Sequence, residues 1–204
     1  MAGISKILKL KKEGGNEVKT KVEKSTQKEK KKVDKSNDNT SESTSGRCIS
    51  KRWVLPLQYE DLYEVDRPTL GRYVDVVVFR AFALSIIKYL GFNSIHKIYH
   101  AGEDFGRSLG VKTIDELIEC FKYLRIGVLE VVEENPIRIR VYESVFCSGF
   151  PNIGECVCHY ERGILAGCFE NILRKKVEVI ETKCCACGDD YCEFEIRVIG
   201  DLTT

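Results

Sequence analysis

The crowding of cysteines into the last third of this chain constrains its fold more than any other feature. The chain has 204 residues and ten cysteines. In a reducing compartment, so many thiols favour metal or thiol chemistry over a disulfide framework. Packing alone does not explain the segment 184–192, in which four cysteines flank a Gly-Asp turn. Eight of the ten lie between positions 147 and 192: Cys147, Cys156, Cys158, Cys168, Cys184, Cys185, Cys187 and Cys192.

The N-terminal residues bear on whether a reducing compartment is to be expected. Lys6, Lys9, Lys11 and Lys12 interrupt the apolar segment that a signal peptide needs. No stretch of the sequence approaches the roughly 18–20 apolar residues required to cross a bilayer. We therefore expect a cytoplasmic protein with no membrane partner.

Charge divides the chain near residue 47. Residues 1–47 carry a net charge of +6 and residues 48–204 a net charge of −5, although the whole chain is nearly neutral at +1. The first segment offers few apolar residues, so we predict a disordered Lys-rich tail over 1–47 and a single folded domain over 48–204. Because acidic residues are mixed among the lysines and no aromatic residue accompanies them, nucleic-acid binding by the tail is not expected.

Hydrophobic periodicity in residues 48–204 predicts an α+β fold, an antiparallel sheet packed against several helices. The apolar run 53–57 predicts an edge strand, and the Asn135-Pro136 pair predicts a hairpin. The stretch 70–90 predicts a core helix closed by Gly91. The other predicted elements are helices over 95–109, 113–124 and 158–173, and strands over 127–133, 137–143, 177–181 and 192–198.

Two local signals refine the predicted helices. Thr113 stands three residues before Glu116, the spacing of an N-terminal capping box. Gly102 and Gly106 stand four apart and therefore share one helix face. Missing Cβ atoms on that face either open space for a ligand or permit close packing of another helix.

Spacing alone also points to a metal site in residues 184–192. Cys184 and Cys187 form a C-x-x-C pair, and Cys192 follows the turn. Structural zinc takes four tetrahedral protein ligands, so these three with one upstream thiol, such as Cys158, would form a Cys₄ site. An iron–sulfur cluster is the alternative cofactor, although the spacing lacks a ferredoxin-type run.

Two groups of residues resemble a known family. The helix near residue 100 contributes the segment 99–102 with Gly106, and the C-terminal third contributes Cys158, Gly163, Gly167, the segment 181–184, Gly188 and the segment 192–194. With these, the chain resembles the 4-vinyl-reductase (4VR) domain family, in the manner of its stand-alone archaeal members. The resemblance spans about 66–198, with a core motif at about 134–198. Relatives include effector domains of phenol- and xylene-responsive activators and, more distantly, a subunit of the TRAPP vesicle-tethering complex.

The resemblance implies a zinc site. Its aromatic-sensing members hold one zinc with three cysteines and one glutamate, and those ligands correspond here to Cys158, Glu181, Cys184 and Cys192. Cys187 is the alternate fourth ligand. Four protein ligands close the coordination shell, and a closed site is structural rather than catalytic.

The resemblance also implies a hydrophobic ligand held between helices and sheet, in a domain that forms a homodimer. The function expected is therefore that of a sensor or carrier of a hydrophobic or aromatic small molecule. The alternatives are a component of a tetrapyrrole vinyl reductase with an external electron donor, and a non-catalytic assembly scaffold. No phosphate-binding loop or catalytic triad supports an enzyme. The expected pocket residues are Phe79, Phe82, Tyr99, Phe105, Phe146, Tyr160, Ile164 and Phe169.

Overall fold

The computed structural model describes residues 57–91 and 94–202. Within those residues, four α-helices and a four-stranded antiparallel sheet confirm the predicted α+β class. The predicted edge strand, apart from Leu57, and the predicted tail lie outside the described residues. The helices are α1 (Val76–Leu90), α2 (Ile95–Ser108), α3 (Ile114–Leu124) and α4 (His159–Leu173); the strands are β1 (Val128–Glu134), β2 (Ile137–Tyr142), β3 (Lys175–Lys183) and β4 (Cys192–Asp201).

The first helix begins later than the sequence predicts. Asp75 caps α1, because its carboxylate accepts a hydrogen bond of 2.8 Å from the Val77 N–H. The residues before it form a turn in which the Gly71 N–H donates to the Arg67 carbonyl at 2.8 Å, with Gly71 at a φ of +67°. A left-handed residue ends any helical run, so the predicted start at residue 70 is wrong.

The predicted core position of α1 is also wrong, because no residue of this helix is buried. The helix is held by its inner side, where Arg80 donates to the carbonyls of Val145 at 2.7 Å and Ser144 at 3.2 Å. Phe79 meets the ring of Phe146 edge-on, with ring centres 5.1 Å apart. The apolar residues of the outer side have no partner within the described chain.

The capping signal at the third helix is half confirmed. The Thr113 hydroxyl accepts a hydrogen bond of 3.2 Å from the Glu116 N–H, as predicted. The carboxylate of Glu116 reaches one residue further back and accepts from the Lys112 N–H at 2.7 Å. Both bonds satisfy donors that the first turn of a helix leaves free.

Helices α2 and α4 cross in close contact, which decides between the two interpretations of the glycine face. A Cβ atom built on Gly102 would lie 2.3 Å from the Tyr160 carbonyl oxygen, and one on Gly106 would lie 2.2 Å from that of Ile164. Gly163 in α4 faces the Tyr99 carbonyl of α2 in the same way, at 2.0 Å. These glycines therefore permit close helix packing rather than opening a cavity.

The sheet has the strand order β1-β2-β4-β3. The inner pairing of β2 with β4 keeps an unbroken register from Ile137↔Ile196 to Val141↔Cys192. Both outer pairings shift: β1 at Val131/Glu133, and β3 at Lys176/Val177 and Glu181/Lys183. The core lies where α4 packs against α2 and β3. Its largest wholly buried side chains include Phe121, Phe169, Phe194, Leu117 and Ile139.

Candidate metal centre and apolar cavity

Four cysteine sulfurs meet at one buried point of the fold. Cys158 is the N-cap of α4, Cys184 directly follows β3, and Cys192 begins β4. Cys147 lies in the loop between β2 and α4. All four residues are fully buried, and their sulfurs lie within 4.8 Å of one another. The cluster therefore joins the start of α4 to two strands and a loop.

The spacing of these sulfurs suits a tetrahedral metal ion. A Zn–S bond of about 2.3 Å places the sulfurs of a tetrahedral site roughly 3.8 Å apart. The Cys147 sulfur lies 3.2 Å from that of Cys158 and 3.9 Å from that of Cys184. The Cys158 sulfur lies 3.9 Å from that of Cys184 and 3.6 Å from that of Cys192. A small adjustment of side-chain rotamers would bring all four to bonding distance of zinc.

The charge distribution in the cluster also suits a cation. Hydrogen bonds from the thiols of Cys147, Cys158 and Cys192 lower the pKa of Cys184. The same bonds raise the pKa of Cys158 and of Cys192, because each donates its proton to a neighbouring sulfur. The cluster thus has a thiolate at Cys184 with thiols around it. A divalent cation would replace the remaining protons.

The structure brings together three of the four ligands predicted from the resemblance. The fourth, Glu181, lies near the end of β3, and both of its carboxylate oxygens are buried without a hydrogen-bond partner among the described residues. Burial, followed by the neighbouring Cys184, raises the pKa of Glu181 to about 9. Its role as a ligand stays a prediction.

Sequence reasoning did not consider Cys147 as a ligand, and no ligand-type spacing marks it. The signal lies in the sheet order. Val141 in β2 pairs with Cys192 in β4, so the loop that follows β2 passes beside the start of β4. Knowing which strands pair would have placed Cys147 near Cys192.

A second group of sulfurs adjoins the first. Cys156, Cys184 and Cys187 also lie within 4.8 Å of one another, and the sulfurs of Cys156 and Cys187 are 3.5 Å apart. Cys184 belongs to both groups. Cys187, the alternate ligand predicted from the C-x-x-C spacing, therefore lies in the second group, whereas Cys158 and Cys192 lie in the first.

The histidines lie apart from these groups. In α2, His100 Nδ1 lies 2.5 Å from Glu103 Oε2. His159 follows Cys158, and burial lowers its pKa while its Nδ1 has no hydrogen-bond partner in the part of the chain that the structure describes. Among the described residues, no candidate metal-binding group includes a histidine.

An apolar cavity of about 270 Å³ lies between α1, α2 and the start of α4. A wider groove of about 850 Å³ adjoins it, and the two share Phe79, Phe146 and Tyr160. The cavity is lined by Phe79, Phe82, Ala83, Ile86, Ile87, Ile98, Ala101, Phe146, Val157 and Tyr160.

The expected pocket residues fall into three places. Phe79, Phe82, Phe146 and Tyr160 line the cavity, while Phe105 and Ile164 line the adjoining groove. Phe169 is fully buried in the core. Tyr99 packs beneath the Arg162 guanidinium, whose carbon lies 4.8 Å from the ring centre. A hydrophobic ligand in this region stays a prediction.

In the described part of the chain, no helix is both long and apolar enough to span a membrane. This agrees with the sequence analysis, which found no apolar stretch of spanning length.

The described residues therefore define a class of protein: an α+β domain in which a buried thiol cluster lies beside an apolar cavity. A family model for the vinyl-4-reductase (4VR) domain matches residues 137–198. The uncharacterized protein MJ1642 of Methanocaldococcus jannaschii is 40% identical over 133 residues, which cover 65% of this chain and 83% of that protein. The chain belongs to the vinyl-4-reductase domain family, and the predicted resemblance is confirmed.

A solved structure of a relative shows the same fold. A vinyl-4-reductase family protein from Methanocaldococcus jannaschii aligns with a TM-score of 0.51 and 30% identity, over 64% of this chain and 85% of that one. The phenol-responsive sensory domain of the transcription activator PoxR, solved with phenol, aligns more weakly. Its TM-score is 0.48 at 13% identity, over 61% of this chain and 75% of that one.

Proposed function

We propose that this chain binds a hydrophobic or aromatic small molecule as a sensor or carrier, in a fold held together by zinc. The observation that carries the proposal is the apolar cavity between α1, α2 and α4. Among its described lining residues, only Tyr160 carries a polar group. Ligand sites are typically concave, mostly apolar and supplied with few polar groups, and this cavity has that character.

The volume of the cavity limits the ligand. An apolar cavity of about 150 Å³ holds benzene, so about 270 Å³ suits a substituted single ring or a short branched hydrocarbon. The adjoining groove is lined by Arg72, Arg125 and Glu143 as well as by aromatic rings. A polar substituent on the ligand would point into this groove, where water and charged groups solvate it.

The test uses the full chain, purified without chelator and without oxygen, in native mass spectrometry. We expect bound zinc together with an organic mass of a few hundred daltons. Replacing Ala83 by Phe fills the cavity, so this variant is expected to lose the organic mass and keep the metal. Ala81→Phe is the matched control, because Ala81 lies in the same helix and does not line the cavity. An empty wild-type chain that binds no small aromatic compound in titration would contradict the proposal and favour a scaffold.

The first metal ion is assigned to Cys147, Cys158, Cys184 and Cys192. Distances that bracket the tetrahedral edge and complete burial support this set. Binding energy at a structural zinc site contributes to the folding energy, so Cys192→Ser is expected to lose this ion and lower the melting temperature. Cys147→Ser and Glu181→Gln distinguish the two candidates for the fourth ligand. The first should cost this ion and the second should not.

Helix α1 supports association into a homodimer in the cytoplasm. Val77, Phe82 and Leu90 expose 66%, 66% and 63% of their surface. Contiguous apolar surface of this kind marks an interaction site in soluble proteins. A second copy of the same helix is the partner we propose, with the subunit count from the same mass spectrum as the test.

The name of the similar Methanocaldococcus structure raises a second candidate, a component of a vinyl reductase. A tetrapyrrole has four pyrrole rings in one plane and does not fit a cavity of about 270 Å³. It would have to occupy the wider groove, with electrons supplied by a partner. Retention of a tetrapyrrole, with reduction of its vinyl group only when an external donor is added, would favour this candidate over a carrier.

A further inference from the structure

The second group of sulfurs has the features of a metal site of its own. Cys156 and Cys187 are only partly buried, and their sulfurs lie 3.5 Å apart, close to the tetrahedral edge of about 3.8 Å for zinc thiolates. Both lie within 4.8 Å of the Cys184 sulfur. A thiolate sulfur has more than one free electron pair, so Cys184 can bind two ions at once.

A buried carboxylate lies beside this second group. Both oxygens of Glu181 lack a hydrogen-bond partner among the described residues. The charge of Glu181 raises the pKa of Cys156 and of Cys187, and its carboxylate lies beside Cys184, so it faces this group of sulfurs. Buried polar groups are rarely left without a partner, because losing hydration without a new bond is costly. A cation at the second group would supply that partner.

The backbone holds the second group in place before any metal binds. The Cys187 N–H donates to the Cys184 carbonyl at 2.8 Å, and the Cys184 N–H donates to Asp189 Oδ2 at 2.9 Å. These bonds close the turn that carries two of the thiols. The Ile153 N–H donates to the Ala186 carbonyl at 2.8 Å, which fixes the loop that carries Cys156 against the turn.

We propose that the cysteine cluster binds two zinc ions, the second held by Cys156, Cys184, Cys187 and Glu181, with the Cys184 thiolate bridging the two. Three sulfurs and one oxygen form a donor set that zinc accepts in tetrahedral geometry. On binding, the Cys156 and Cys187 thiols and any protonated Glu181 release their protons to solvent, while Cys184 shares an existing thiolate. The bridge rests on the first ion assigned under the proposed function.

The test counts zinc per folded chain. Full-length protein is purified anaerobically, loaded with zinc, desalted and measured by elemental analysis and native mass spectrometry. We expect two ions in the wild type and one in the Cys156→Ser, Cys187→Ser double variant. The altered thiols lie at the periphery, so circular dichroism is expected to show an unchanged fold. Cys185→Ser is the matched control, because Cys185 lies in the same turn outside both groups, and it should keep two ions.

The possible counts separate this inference from the proposed function. One ion in the wild type that survives the double substitution overturns the second site and leaves the first intact. No ion in the wild type overturns both. A mass two daltons below the reduced chain, with Cys156 joined to Cys187 in a disulfide, also overturns the second site. Iron with inorganic sulfide in place of zinc replaces both assignments with a cluster.

The bridge has its own measurement. Loaded with cadmium-113, the wild type should give two NMR resonances that split each other through the shared Cys184 sulfur. The double variant should give one unsplit resonance. Two resonances without mutual splitting would overturn the bridge.

Discussion

Helices α1 and α4 have equal length and opposite environments. Both contain 15 residues, and α1, with the sequence VVVFRAFALSIIKYL, is the more apolar of the two. None of its residues is buried, whereas α4 buries nine of its own, including Glu161 and Glu170. Apolar character therefore does not decide which helix enters the core of this chain.

Two features of α4 make its burial possible. Gly163 and Gly167 let the backbone of α2 approach so closely that a Cβ atom would lie 2.0 and 2.1 Å from carbonyl oxygens. Glu170 is balanced by Arg107 Nε at 2.7 Å and Lys176 Nζ at 2.6 Å. Helix α1 has no glycine and presents bulky side chains on all sides, which suits contact with another molecule better than close packing within the chain.

Adding a single methyl group at Gly163 is expected to have the largest effect on this contrast. Alanine is favoured over glycine in a helix by about 1 kcal/mol. The new Cβ would clash with the Tyr99 backbone, and overpacking of this kind costs about 3 kcal/mol. The clash outweighs the gain in propensity, so Gly163→Ala should lower the free energy of unfolding by about 2 kcal/mol or more in denaturant titration.

Gly200→Ala provides the control for that substitution. A Cβ atom at Gly200 meets nothing within 4 Å, so the free energy of unfolding should change by no more than about 0.5 kcal/mol. Equal stabilities for the two variants would show that α2 and α4 do not pack as closely as described.

The ion pairs of Glu170 are expected to have the next largest effect. Glu170 is 2% exposed, while Arg107 and Lys176 are 36% and 40% exposed. Removing one partner of a fully buried pair costs about 3–5 kcal/mol, and partial exposure lowers the expectation to about 2 kcal/mol for Glu170→Gln at pH 7. Glu103, also near both cations, retains part of the network.

The same network predicts a dependence on pH. Burial acts to raise the pKa of Glu170, but hydrogen bonds from Lys176 and Arg107 outweigh it and hold this pKa below its usual 4.5. The stabilisation is therefore full above pH 4.5 and is lost as the pH falls through the lower folded-state value. Unfolding titrations at pH 7 and below pH 4 should show a smaller loss for Glu170→Gln than for the wild type. Glu178→Gln, on an exposed position of β3, should behave like the wild type.

Substitution in α1 is expected to have the smallest effect on the folding of each chain. Phe82 is 66% exposed, so Phe82→Ser should change the free energy of unfolding of the single chain by no more than about 0.5 kcal/mol. If α1 forms the interface we propose, the same variant shifts the mass from dimer to monomer in light scattering. A stability loss as large as that of Gly163→Ala, with no change in mass, would place α1 in the core of its own chain.

Local signals in the sequence located most of the fold. Thr113 marks the start of α3, the Asn135-Pro136 pair lies at the hairpin, and Cys158 lies at the start of α4. Each depends on a few neighbouring residues and their backbone preferences, which the sequence displays directly. The start of α1 was missed because a capping Asp75 and a left-handed Gly71 outweigh an apolar pattern that continues before them.

The candidate site was only partly predictable, because its members come from distant parts of the chain. Cys184, Cys187 and Cys192 form a recognisable spacing, but the structure divides them between two groups that share Cys184. Cys147 joins them only because β2 lies beside β4. Such pairing depends on the order of strands in the sheet, which periodicity along a single strand does not reveal.

The register shifts at both outer strands affect how copies of this protein can meet. A regular outer strand offers free N–H and C=O groups on which a fifth strand, from another molecule, can grow into an aggregate. Here β1 and β3 each contain a bulge, and bulges twist and interrupt such an edge. Glu130 and Glu133 on one edge, and Lys175 and Lys176 on the other, add charge. Growth of the sheet from molecule to molecule is thus disfavoured at both ends, which leaves helical surfaces for specific association.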